Sequence, residues 1–123
     1  MALKKELIKA GLANTAADAV GGSATTGLTA LAGGGQTGAT ALTGAINVIA
    51  TCATLNDSAL LPGGELGDEI WVRNNGAASC NVFPQVGGAI NGAAANAAFA
   101  VGASKTALFK NIDGTNWIAV LTA

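Results

Sequence analysis

The chain has 123 residues, enough for one domain of ordinary size and too few for two. Half of it is hydrophobic but only 4% is aromatic, with 18 glycines and neither tyrosine nor histidine, so any core is built from small side chains and the commonest general base is missing. A formal net charge of -1, 11% charged residues and Arg73 as the single arginine exclude the basic face that nucleic-acid phosphates require.

The first element is LKKELIKAGL, residues 3 to 12, where Leu3, Leu7, Ile8 and Leu12 recur at helical spacing and predict a short helix. No apolar run of signal-peptide length follows Lys4, Lys5 and Lys9, so no secretory signal is expected, and no stretch approaches a membrane span. From Ala13 to Thr43 alanine, glycine and threonine dominate. This stretch reads as an extended arm or coil, too apolar for a solvated linker and too poor in large side chains to offset its own ordering entropy. The expected division is residues 1–43 as an N-terminal arm with a short helix, and residues 44–123 as a β-domain. The arm is expected to order on binding, and removal of residues 1–40 to leave the β-domain folded.

Beyond Thr43 the period becomes two, with Ile46, Val48, Ala50 and Cys52 alternating with Asn47, Ile49 and Thr51; the first group is expected to face the core. Turn signals then recur as LPGG, NNG, VGGAING, VGAS and NIDGTN, separating the short strands EIWVRN, SCNVF, AFAV, KTALFK and NWIAVLT. Asn75-Gly76 and Asp113-Gly114 suit tight hairpins. Strands at this spacing indicate an antiparallel sandwich or barrel; the predicted fold is mainly β, a small antiparallel β-sandwich, with a jelly roll among the connections allowed. Alternation puts Ile70 and Val72 on one face of their strand and Glu69, Trp71 and Arg73 on the other, so Trp71 is expected to face outward. Cys80 falls with Val82 in the core, and Cys52 and Cys80 are read as buried thiols rather than a disulfide, since no export signal precedes them.

The motifs that resemble reactive sites fail on their chemistry. Gly33 to Thr40, GGGQTGAT, contains G-x-G-x-x-G and approaches a phosphate loop, but Ala39 stands where that loop needs lysine, and the flanking strand and helix are missing. Without histidine, and with two isolated cysteines, zinc has no ligand set. Glu65, Asp68 and Glu69 read as a solvated turn before a strand rather than a calcium site, and Asn56-Asp57-Ser58 as a chance glycosylation match. Ser104 and Lys105 read as a polar turn rather than a nucleophile and base, and Trp71 and Trp117 as core or subunit-contact residues rather than stacking platforms. No catalytic, cofactor or metal residue is assigned, and no enzyme is expected.

The motifs DSALLP at 57–62, VRNNG at 72–76 and VFPQVGGAING at 82–92, with Phe109 and Trp117, resemble a small β-sandwich domain of tailed-bacteriophage virion proteins, notably head decoration (cement) proteins and head fibres. The resemblance covers roughly the C-terminal half of the chain. It implies a structural protein on the capsid exterior, assembled in the host bacterial cytoplasm, with the major capsid protein as partner. It also implies a homo-oligomer, a trimer on local threefold positions, and no nucleic acid, membrane or cofactor. The interface candidates are Leu3, Lys4, Lys5, Leu7 and Ile8 in the arm and Trp71 and Arg73 in the β-domain. The alternative is a receptor- or glycan-binding module of a head fibre or tail tip, using exposed Trp71 or loop asparagines.

Overall fold

The computed structural model describes residues 23–122, so the helix expected at residues 3–12 lies outside the described residues. Nine strands follow in order: β1 Ala24–Thr29, β2 Thr40–Ala41, β3 Ile46–Thr51, β4 Ser58–Leu60, β5 Glu69–Asn74, β6 Cys80–Phe83, β7 Phe99–Val101, β8 Thr106–Asn111 and β9 Trp117–Leu121. They form a five-stranded sheet, β1-β3-β5-β8-β9, and a four-stranded sheet, β2-β4-β6-β7. Both sheets are mixed.

The first six strands alternate between the two sheets, and within each sheet they pair in parallel. Ile46 lies beside Trp71 and Ser58 beside Asn81, so the chain returns to the same sheet roughly every 20 to 25 residues, the spacing of a coil. Three such coils stack. Only then does the chain reverse: β7 pairs antiparallel with β6, β8 with β5, and β9 with β8.

This corrects the expected antiparallel order. A turn signal marks where the chain bends, and a bend into the facing sheet carries the same residues as a hairpin. The NNG stretch illustrates the point, because it carries the chain from β5 to β6 in the other sheet. Gly76 is required there by proximity, since an added Cβ would strike the backbone nitrogen of Cys52. By contrast Asp113-Gly114 does close a hairpin, between β8 and β9, with Gly114 at φ 93°. There the Asn111 Oδ1 accepts from the Gly114 amide at 2.6 Å, and Asp113 Oδ1 accepts from the amides of Thr115 and Asn116.

Part of the expected arm belongs to the sheets. Ala24–Thr29 pairs with β3, and Thr40–Ala41 with β4. The glycine-rich segment between them is fastened to the second coil: the Asp57 carboxylate accepts from the Gly33 amide on one oxygen and the Thr54 amide on the other, both at 3.2 Å. Ser58 Oγ donates to Gly35 O, and Gln36 Nε2 to Pro84 O. Hydrogen bonds to its backbone and to Gln36 hold this segment where its side chains lack apolar area.

One core lies between the sheets. Ile49, Val72, Ala107, Phe109 and Trp117 from the larger sheet meet Ala59, Cys80, Val82 and Val101 from the smaller. Phe99 and Phe109 pack edge to face with centroids 5.5 Å apart. On β3 the faces are the reverse of the expectation: Ile46 is exposed, while Asn47 and Ile49 are buried. Asn47 is satisfied inside because its Oδ1 accepts from the Gly44 amide and its Nδ2 donates to the carbonyls of Gly44 and Trp71. A buried amide with three partners carries little desolvation penalty.

Candidate interaction surface

The outer face of the five-stranded sheet is built from alternate residues of each strand. On β5 these are Glu69, Trp71 and Arg73, because Ile70, Val72 and Asn74 point into the core. Register then aligns their neighbours: Ile46 lies beside Trp71, Trp71 beside Leu108, and Leu108 beside Val120, while Ala24 lies beside Ile46 at the far strand. The result is an apolar row crossing all five strands. Trp71 is 42% exposed, Ile46 49% and Val120 65%, so the row faces solvent rather than the core.

Charged and polar residues flank it. On one side Lys110 Nζ lies 2.9 Å from Glu69 Oε2, with exposed Ile118 next in register to Lys110. Both members of that pair are about half exposed, so it contributes little to stability. On the other side the Arg73 guanidinium donates to Asn75 Oδ1 and Ser104 O, each at 2.7 Å. Arg73 thus ties the end of β5 to the turn before β8. A depression of about 110 Å³ opens among Leu108, Lys110, Ile118, Ala119 and Val120, at the β9 end of the row.

The β9 edge of this sheet is covered. The Asn91 amide donates to Trp117 O, its Nδ2 donates to Ala119 O, and its Oδ1 accepts from the Ala119 amide at 2.8 Å. At the other edge β1 is interrupted by register shifts around Leu28, a device that spoils pairing with a further strand. The smaller sheet ends in strands of two and three residues.

Of the interface candidates, Trp71 and Arg73 stand side by side on this outer face, and Leu3, Lys4, Lys5, Leu7 and Ile8 lie outside the described residues. Ile46, Leu108, Ile118 and Val120 escaped the sequence reading. The last two carry a signal, since both alternate with Trp117, whereas the alternation of β3 puts Ile46 in the core.

The remaining motifs have structural roles. Gly33 sends its amide to Asp57, so the glycine-rich stretch already holds a carboxylate of its own chain. Asp68 accepts from the Glu65 amide at 2.8 Å, closing the turn before β5. Among the described residues no group of three or more His, Cys, Asp or Glu converges at metal-binding distance. Cys52 and Cys80 are free and buried. Burial, then the neighbouring Cys52 thiol and Asp57, pushes the Cys80 thiol up to about 12, and burial likewise raises Cys52. Trp117 is core, and its indole Nε1 donates to Gln85 Oε1 at 2.9 Å. Among the described residues no helix is long and apolar enough to cross a membrane. Neither a family model nor a curated protein matches the chain.

Proposed function

We propose that this chain is a non-enzymatic virion protein that decorates and stabilises a bacteriophage capsid. In this reading homotrimers form in the host bacterial cytoplasm, bind the major capsid protein and remain on the capsid exterior, without cofactor, nucleic acid or membrane. The observation that carries it is the solvent-facing row Ile46–Trp71–Leu108–Val120 on a sheet whose β9 edge is covered by Asn91. Contiguous exposed apolar surface rimmed by polar residues marks a protein contact, and aromatic residues at its centre are the usual anchors. The two-sheet core is compatible with the small β-sandwich that the motifs of residues 57–92 imply.

Exposure of Trp71 also favours the second reading, a receptor- or glycan-binding module of a head fibre or tail tip, because an open indole stacks on sugar rings. Copy number separates the two. Purified protein is incubated with undecorated heads, and bound copies are counted by densitometry and by reconstruction of the particles. Occupancy of the whole shell by hundreds of copies is expected; a few copies at one vertex, or none, overturns the decoration reading.

A further inference from the structure

The apolar row has a shape that selects its occupant. It crosses five strands, a length of about 19 Å at the usual spacing between strands, and it is one residue wide for most of that length. A helix is about 10 Å across with its side chains, which matches one row and its margins.

Residues 3–12 supply such a segment. Leu3, Leu7, Ile8 and Leu12 recur at four- and five-residue intervals, the spacing that predicts a helix, and ten residues in that form extend about 15 Å. Charge agrees as well: Lys4, Lys5 and Lys9 outnumber Glu6 in this segment, and Glu65, Asp68 and Glu69 at the start of β5 outnumber Lys110 on that flank of the row. The tether is long enough. Ser23, whose carbonyl accepts from the Ile46 amide, sits at one end of the row, and residues 13–22 extend at most about 36 Å from there.

We propose that the outer row of the five-stranded sheet receives residues 3–12 of a neighbouring copy. This rests on the homo-oligomer of the preceding reading and gives it a contact. Segment and row are different surfaces, so the contact is heterologous and closes into a ring when every copy both gives a segment and receives one. One aliphatic side chain of the segment fills the depression beside Leu108 and Val120.

The test uses purified full-length protein without heads, so capsid attachment has no bearing on its outcome. The double variant Leu7→Asp/Ile8→Asp spoils the segment and keeps the row; Trp71→Asp spoils the row and keeps the segment. Each is expected to sediment as a folded monomer, with the β-sheet circular dichroism of the parent oligomer. Mixed together, they are expected to form a heterodimer, because one intact row meets one intact segment. Trp71 of the double variant is the reporter, since Trp117 is buried; its quenching by acrylamide is expected to fall about threefold on mixing. Persistence of the oligomer in either variant overturns the proposal, as does failure of the mixture to associate. An intact protein that is monomeric with Trp71 already shielded also overturns it, by showing that each copy covers its own row.

Discussion

Asn91 occupies the position of a missing tenth strand: its side-chain amide exchanges two hydrogen bonds with the backbone of Ala119, on the edge of β9. An uncovered edge presents a row of open amides and carbonyls to any other strand. Closing it with a side chain blocks strand pairing at Ala119, in the middle of β9. The φ of Asn91 is 55°, a conformation asparagine tolerates better than most residues.

Asn91→Gly keeps that backbone conformation and deletes the two bonds. The variant is expected to lose about 1–3 kcal/mol in urea unfolding and to associate further as its concentration rises. Light scattering across a concentration series checks the second effect.

The two tryptophans are expected to separate cleanly. Trp117→Ala empties a site that is 1% exposed and should cost about 3–5 kcal/mol. Trp71→Ala should leave the melting curve within about 0.5 kcal/mol of the parent once the protein is monomeric, and weaken self-association by about 2 kcal/mol. Sedimentation and thermal circular dichroism measure both.

Truncations give a third test. Removal of residues 1–22 leaves every strand of the described residues in place and is expected to preserve the fold. Removal of residues 1–40 takes β1 and the first residue of β2, uncovers the edges of β3 and β4, and strands Asp57 without the Gly33 amide. This shorter protein is expected to melt at least about 10 °C lower or to precipitate, in contrast to the stable β-domain that the sequence alone suggests.

Cys80 gives the fold a basic limit. Its thiol ionises near 9 when unfolded and only at about 12 in the folded chain, so the folded state favours the protonated form. The stabilisation is whole below pH about 9 and is lost as the pH rises toward about 12. Urea unfolding at pH 7, 9 and 10.5 should show a falling midpoint, and Cys80→Ala a smaller fall. Both thiols should resist Ellman's reagent at pH 8 until the protein is unfolded.

Asp57 is the buried acid of the corner between the first two coils, 4% exposed and bonded to two backbone amides. Asp57→Asn replaces one accepting oxygen with a donor facing an amide hydrogen. A loss of about 1–3 kcal/mol is expected in denaturant unfolding.

The β class, the outward side of β5 and the burial of Cys80 beside Val82 are legible in the sequence. Each depends on residues within one strand: Ile70 and Val72 alternate with Trp71 and Arg73, and a strand can bury only one such set when the other faces water. Pairing was decided elsewhere. Whether NNG turns the chain back beside β5 or across to the other sheet depends on what lies opposite it, and that is Cys52, more than twenty residues earlier. Asn47 looked like a solvent position because its partners, the carbonyls of Gly44 and Trp71, are brought together only by the parallel coil. The apolar row has the same origin. Ile46, Trp71, Leu108 and Val120 are far apart in the chain, and hydrogen-bond register between strands lines them up.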